Sequence, residues 1–578
     1  MNEDLVPIGQ LPARGAKLFG EKPALMRRKG KAPYEPVSFL ELSEKVEKLA
    51  DGLLTLGLSP GDRVGILGEN RPEWAISYLA IHRAGGVTVP IDAHLKEQEL
   101  RHILDDSEAK YVFVSPELLP DIQDLTSRLK ALEKIICLET VSESGVETLD
   151  GLMKKGKGGS KPERGLDELA VILYTSGTTG FSKAVMLSHR NIVSNVSSML
   201  EALSLSREDV FLGILPLHHT FGATVAFLVP LYWGCTVAFA RSLKPREILE
   251  DIQDSKTSVI LCVPQLYEMI HASIQRNLRA KPLLTRAAFK ATQAVSQTVK
   301  ILTGRNPSSL LFRSVRKKAG LDTIRYFVCG GAPLPPEVGR AFADLGFTFL
   351  QGYGLTESSP VLTVDRPGKS KPDSIGFPLP GVEIRLDNPD EHGVGELIAR
   401  GPNIMMGYYK NSQATALALR DGWLYTGDLA RKDKDGRYYI AGRTKNLIVS
   451  AAGKNIYPEE VEAQLLKSPF ITEVMVIGVV NPETKREEVQ AIIYPNSETL
   501  DVYAKEHNKT LTPEDIQLLI GEEVQKQCLG LADYKRVKKF QLREEEFPKT
   551  ALKKIKRYLV MGGKPVAVKG GVEQGKEL

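Results

Sequence analysis

Hydrophobic positions in the first 150 residues follow two alternating periods. Phe39, Leu42, Val46, Leu49, Leu53 and Leu56 recur every three or four residues and so share one helical face. Ser38-Phe-Leu-Glu41 is a capping box that opens this helix, and Gly57 closes it. Arg63–Leu67, Val87–Ile91 and Tyr111–Ser115 are short apolar runs that read as strands. A proline-opened helix over Pro72–Arg83 and another near Gln98 fall between them. Strand and helix in alternation predict a doubly wound α/β layer. The pattern resumes with strands at Val210–Leu215, Ser258–Pro264, Ile324–Pro333 and Phe347–Gly354, each ending in a Gly, His or Pro cluster. Ligands in such folds bind beyond the carboxyl ends of the strands.

Two regions break the pattern. Between Pro372 and Arg400, short strands separated by Gly, Pro and Asp turns predict a small β-rich subdomain. From about Asn446 a compact α+β module is expected, with helices near Pro458–Leu466 and Glu514–Gln527 and strands at Glu473–Val480 and Val489–Tyr494. The last fifteen or so residues are rich in Gly, Lys and Glu and are expected to fray. Phe221–Ala240 carries no charge, but Pro230 and Gly234 interrupt it. A buried helix followed by a buried strand is therefore expected there, not a spanning helix of ~20 residues.

The 578 residues, 42% hydrophobic and 25% charged, suffice for two or more domains of ordinary composition. A net charge of +5 is too mild to argue for nucleic acid. Five scattered cysteines without a C-x-x-C pair fit buried thiols in a reducing compartment. The acidic Met-Asn-Glu-Asp start has no apolar signal segment, and a cytoplasmic location is expected.

The most distinctive chemistry follows the apolar run Leu169-Ala-Val-Ile-Leu173. Thr175, Ser176, Gly177, Thr178, Thr179, Gly180 and Lys183 fall within nine residues. Glycines let backbone approach an anion, hydroxyls and free N–H groups donate to phosphate oxygens, and a lysine adds a point charge. A strand feeding such a loop is a phosphate cradle, although the Walker spacing is absent.

These residues resemble the phosphate-binding loop of the adenylate-forming superfamily, the acyl-CoA synthetases and their relatives. The family pattern is Thr-Ser-Gly-Thr-Thr-Gly-x-Pro-Lys-Gly; Ser182 stands where it usually has Pro, and Ala184 where it usually has Gly. Further motifs follow in the family's order. Gln351-Gly-Tyr-Gly-Leu-Thr-Glu357 resembles a second signature, comprising Gln351, Gly352, Tyr353, Gly354, Thr356 and Glu357. Tyr353 is suited to stack on adenine, Thr356 to bond phosphate and Glu357 to ligate Mg²⁺. Gly330, Gly331, Ala332 and Pro333 resemble the segment along the adenine, and Asp428 in Tyr-Thr-Gly-Asp the ribose-binding aspartate.

The resemblance extends into the C-terminal part. Gly442-Arg-Thr-Lys-Asn-Leu-Ile448 is similar to the hinge motif. It implies Arg443 at the nucleotide and Lys445 at the hinge, with Asn446 replacing the usual acidic residue. The resemblance also implies that Gly453 and Lys454 fall in the loop that lines the CoA passage. In Phe547-Pro-Lys-Thr-Ala-Leu-Lys-Lys-Ile-Lys-Arg557, Lys554 aligns with the catalytic lysine and Lys553 replaces a glycine. Lys549 and Lys553 are the neighbours it is most easily confused with. His219, of the His218–His219 pair, aligns with a family histidine near the acyl carboxylate, in an orienting role.

The resemblance covers about residues 10 to 560. It implies an α/β fold with a large AMP-binding domain (1–444), a small mobile C-terminal lid domain bearing Lys554 (445–562) and a disordered tail (563–578). It implies ATP-dependent ligation of a fatty acid to CoA through acyl-AMP, with Mg²⁺, releasing AMP and pyrophosphate. Asn70-Arg-Pro-Glu-Trp74 and an extended segment, Met269–Gly320, resemble the long-chain branch. That segment holds eleven Lys or Arg and no Asp or Glu, a composition suited to peripheral contact with the inner face of a membrane. Transfer to a carrier-protein thiol, and a catalytically dead nucleotide-binding protein, are the alternatives. Oligomeric state stays open, with a homodimer as one option.

Overall fold

The computed structural model describes residues 5–141, 145–175, 183–303, 306–449, 454–480, 487–549 and 555–560. The chain divides into two compact units, one of Met1–Thr175, Ser182–Ile384 and Ala399–Leu424, the other chiefly of Arg385–Ile398 and Tyr425–Leu578.

The first unit is built on two large sheets. One has eight strands in the order Gly407–Tyr408, Lys183–Ser188, Leu169–Thr175, Val87–Ile91, Arg63–Leu67, Tyr111–Val114, Lys134–Cys137 and Glu147–Thr148. All its strands run in one direction except Lys183–Ser188, which is antiparallel to both of its neighbours. The other has nine, in the order Phe377–Pro378, Val361–Val364, Thr348–Gly354, Tyr326–Cys329, Val259–Cys262, Val210–Gly213, Thr236–Phe239, Pro23–Arg27 and Glu35–Ser38. Its central strands are parallel and buried, so they read as unbroken apolar runs. This is the expected α/β fold of doubly wound sheets.

Local detail follows the chemistry of the sequence. The Phe39–Thr55 helix begins with the expected box: the Glu41 N–H donates to Ser38 Oγ at 3.1 Å, and the Ser38 N–H donates to Glu41 Oε2 at 2.8 Å. Phe39, Leu42, Val46, Leu49 and Leu53 are all buried. Phe221–Leu228 and Val229–Trp233 are helical and buried, and Thr236–Phe239 is a buried strand. Among the described residues no helix is long and apolar enough to cross a membrane. All five cysteines are buried. The phosphate-cradle strand differs from the simplest expectation: it turns back into an antiparallel partner, Lys183–Ser188, before the next helix begins.

The second unit contains the expected α+β module. Ile471–Val480, Glu487–Pro495 and Lys539–Leu542 form its sheet. The Pro458–Leu465 and Pro513–Cys528 helices contribute Val461, Leu465, Ile520 and Val524 to a core with Val474, Val476 and Ile493.

Candidate active site

In the nine-stranded sheet the parallel order places the ends of Val210–Gly213, Val259–Cys262, Tyr326–Cys329 and Thr348–Gly354 along one edge. The segments after them are Pro216–Gly222, Val263–Pro264, Gly330–Pro333 and Leu355–Glu357. Sequence motifs from three of these four segments thus meet at one edge. Gly330 lies under the Phe221 ring, which an added Cβ would approach to 3.1 Å. Gly331 has a φ of +85°. At Gly354 a Cβ would fall 1.8 Å from the Pro360 carbonyl oxygen, so no other residue fits that backbone. Gln351 is locked in place: its backbone N–H donates to Asp365 Oδ2 at 3.1 Å and its side-chain amide to the Pro372 carbonyl at 2.6 Å. Tyr353 is half-buried on the same strand, one residue beyond Gly352.

The phosphate cradle and the Glu357 turn come from different sheets and are joined by a residue that motif reading missed. Thr175 pairs with Lys183 across the hairpin, and its hydroxyl donates to the Lys183 carbonyl at 3.3 Å. Ser176, Gly177, Thr178, Thr179 and Gly180, between these ends, lie outside the described residues. Thr356 and Glu357 sit on a short 3₁₀ turn. The Met405 N–H donates to the Glu357 carbonyl at 2.9 Å, and the same segment pairs Tyr408 with Val185 beside Lys183. The Tyr408 hydroxyl donates to Glu357 Oε1 at 2.8 Å, and the Lys183 ammonium stands 4.7 Å over the Tyr408 ring. Burial, then the neighbouring Glu357 charge, raises the Tyr408 pKa above its usual value, so the phenol stays a donor. Glu357 Oε2 has no hydrogen-bond partner among the described residues. A carboxylate oxygen linked through Tyr408 to Lys183 fits Mg²⁺, which takes one or two carboxylates and completes its shell from phosphate and water. No local signal marked Tyr408, because its partner Glu357 is 51 residues away in the chain.

His218 and His219 follow the Val210–Gly213 strand, their ring centroids 4.3 Å apart. Both are held below the usual imidazole pKa, chiefly by burial, and are therefore neutral. Their Nε2 atoms are buried without a hydrogen-bond partner. Asp92, another residue missed in the sequence, brings Oδ2 to 3.6 Å from His218 Nε2. A neutral imidazole pair with unspent polar atoms suits orientation of a polar substrate group.

Two more histidines are buried neutral in this unit: His82, and His189 with a pKa of about 4. On unfolding, all four return toward 6.5. The stability their neutral burial contributes is full above about pH 6.5 and is lost as pH falls through that value toward the folded pKa. The thermal midpoint is therefore expected to be flat from pH 8 to 7 and to fall steadily from 6.5 to 5. A midpoint unchanged over that lower window in a calorimetric series contradicts this.

In the second unit, Asp428 and Arg443 face each other in strand register, and Arg443 Nε meets Asp428 Oδ1 at 2.7 Å. Two residues assigned to the nucleotide on separate motifs are thus neighbours. Lys445 lies on the Thr444–Asn446 turn. Asn446 donates its amide to Glu459 Oε1 at 2.6 Å, so this position is tied by a neutral donor where the family usually has an acid. Lys454 is described, its ammonium 5.5 Å over the Tyr534 ring. Gly453 and Lys554 lie outside the described residues. The flanks of Lys554 are anchored. Lys549 pairs with Glu473 and, at 3.0 Å, with Glu546; Arg557 pairs with Glu462 and donates to the Val476 carbonyl at 2.8 Å.

This assembly is matched among known proteins. The AMP-binding enzyme family matches residues 13–409, well over half of the chain, and the chain belongs to that family. It is an adenylate-forming enzyme of the acyl-CoA synthetase group. A feruloyl-CoA synthase of Amycolatopsis sp is 32% identical over 498 residues, 84% of this chain and 88% of that protein. The long-chain-fatty-acid–CoA ligase FadD15 of Mycobacterium bovis is 29% identical over 561 residues, 91% of this chain and 90% of that protein. The ATP-bound MatB structure from Rhodopseudomonas palustris has a TM-score of 0.74 at 27% identity, covering 96% of this chain and 98% of that one.

Proposed function

We propose that the protein joins a long-chain fatty acid to CoA in two steps. In the first, a carboxylate oxygen of the acid attacks the α-phosphorus of ATP; the bond to the β-phosphate oxygen breaks and pyrophosphate leaves. In the second, the CoA sulfur attacks the acyl carbon of acyl-AMP, and AMP leaves with the carboxyl–phosphate oxygen. The carboxylate is already a nucleophile, so the first step needs charge neutralisation and in-line positioning, not a base. The observation that carries the reading is the meeting of Lys183, at one end of the cradle segment, with Tyr408 and Glu357.

Roles follow from chemistry and resemblance. Thr175 to Gly180, Lys183 and Thr356 hold the phosphates. Glu357 would hold Mg²⁺, which neutralises phosphate charge when bound. Gly330–Pro333 and Gln351–Gly354 receive adenine, Asp428 accepts from the ribose hydroxyls, and Arg443 lies against the nucleotide. His219 orients the acid. Residues 445–562 act as a lid turning at Lys445, which carries Lys554 in for the first step and the Gly453–Lys454 loop in for the second. A closed site keeps water from acyl-AMP.

A long acyl chain is supported by the similarity to FadD15 along nine-tenths of this chain and by the extended Met269–Gly320 segment. The feruloyl-CoA synthase, at higher identity over a shorter span, favours an aryl acid as the second reading. Incubating pure protein with ATP, Mg²⁺ and acetate, octanoate, palmitate or ferulate, with and without CoA, separates them. Palmitate-dependent AMP and CoA-dependent thioester are expected. Turnover with ferulate alone moves the assignment to aryl acids. Acyl-AMP that CoA cannot discharge points to a carrier thiol, and no turnover with any acid overturns the proposal.

A further inference from the structure

The Leu283–Thr303 helix turns the wrong side to solvent. Surface helices usually bury an apolar stripe and show charge outward. Here the inner side is fixed by Ser296, buried with its hydroxyl 2.5 Å from Ser308 Oγ, and by the Phe289 ring, 5.2 Å from Phe312. Thr292, Gln293 and Val299 are half-buried on the same side. At roughly 100° per residue, Leu283, Leu284, Val295, Ile301 and Leu302 fall within an arc of about 120° on the other side. They are exposed, from 55% at Val295 to 84% at Leu284. Only Ala287, Ala291, Ala294 and Thr298 share that arc, so it carries no charge. The helix has 21 residues, and the bare stripe is about 30 Å long.

The stripe has a basic surround. Arg286 and Lys290 flank it on one side, and the whole segment from Met269 to Gly320 holds eleven Lys or Arg without one Asp or Glu. Exposed apolar side chains continue at Leu310, Leu311 and Val315. Nine of the twenty large exposed hydrophobics among the described residues fall between Met269 and Val315.

We propose that this face docks peripherally on an anionic lipid bilayer, with the Leu283–Leu302 stripe entering the acyl boundary and the surrounding cations meeting the headgroups. A bilayer supplies the apolar layer and the negative surface together. A symmetric second copy supplies only the first, since a two-fold contact would set each basic patch against its twin. The assignment does not depend on which acid is activated.

The test is flotation of the full chain with phosphatidylcholine vesicles, with and without phosphatidylglycerol. The chain is expected to float with anionic vesicles, more weakly on neutral ones, and to be released by high salt. Leu284→Ser/Leu302→Ser is expected to lower partition about tenfold or more, and Arg286→Gln/Lys290→Gln to remove most of the anionic preference. Both variants change exposed side chains, so their melting temperature and turnover of a water-soluble acid should match the parent. Absence of binding, equal binding to neutral and anionic vesicles, or full binding by the leucine variant overturns the proposal. So does sedimentation showing a dimer that the leucine variant dissolves, which would make the face a self-association surface.

Discussion

Replacing Lys554 by alanine is expected to slow acyl-AMP formation by about 10²–10³ while ATP binding changes little. A carboxylate approaching a triphosphate is a meeting of like charges, and charge moves from the attacking oxygen toward pyrophosphate as the bond breaks. A positioned cation acts on that developing charge. Losing one such donor typically costs about 3–4 kcal/mol of barrier. The same variant should still convert supplied acyl-AMP and CoA to thioester, because the role proposed for the lysine is confined to the first step. Pyrophosphate exchange, calorimetric ATP titration and single-turnover thioester formation separate these quantities.

Lys549 provides the contrast. It is close in sequence and equally cationic, but it is held by Glu473 and Glu546. Its pKa is raised: burial works against the charged form, and the bonds to Glu473 and Glu546 outweigh it. Lys549→Ala should therefore cost about 1–3 kcal/mol of stability and leave adenylation nearly intact. A large loss of exchange in Lys549→Ala with normal exchange in Lys554→Ala would transfer the catalytic role to Lys549.

The fold was legible wherever local period and burial agree. Phe39 to Leu53 shows a 3.6-residue period because one face packs on the core, and the central strands are apolar throughout because they are buried on both faces. Pro230 and Gly234 identified the uncharged Phe221–Ala240 stretch as buried elements joined by a turn. Facing was not legible. The Leu283–Thr303 sequence is amphipathic either way, and only the contacts of Ser296 and Phe289 show that its apolar arc points outward. The site was legible as ordered motifs, since each is contiguous in the chain. Links between motifs were not, because Asp92 with His218 and Glu357 with Tyr408 join residues far apart in sequence. Asp428 and Arg443 were each singled out, but their ion pair arises from strand register, which neither motif encodes.

Tyr408 gives the second large effect, by acting through Glu357. Glu357→Gln removes the charge that would hold Mg²⁺ and is expected to lower kcat/KM for ATP by about 10²-fold or more. Tyr408→Phe leaves the carboxylate but frees it to rotate, because its 2.8 Å hydrogen bond is the restraint on Oε1. Loss of a group that orients a metal ligand typically weakens metal binding about 10–100-fold. The half-saturating Mg²⁺ concentration should rise by that order, with a smaller change in rate at saturating Mg²⁺. Mn²⁺ binding to the ATP complex, followed by electron paramagnetic resonance, reads the same loss without turnover. If Tyr408 works through Glu357, the double variant will be no worse than Glu357→Gln alone, since the tyrosine then has no carboxylate to orient. Additive losses would show that the Tyr408 hydroxyl contributes separately; the Lys183 ammonium stands over the Tyr408 ring. Phenylalanine keeps that ring, so Tyr408→Leu, which removes both features, measures the lysine's share by difference.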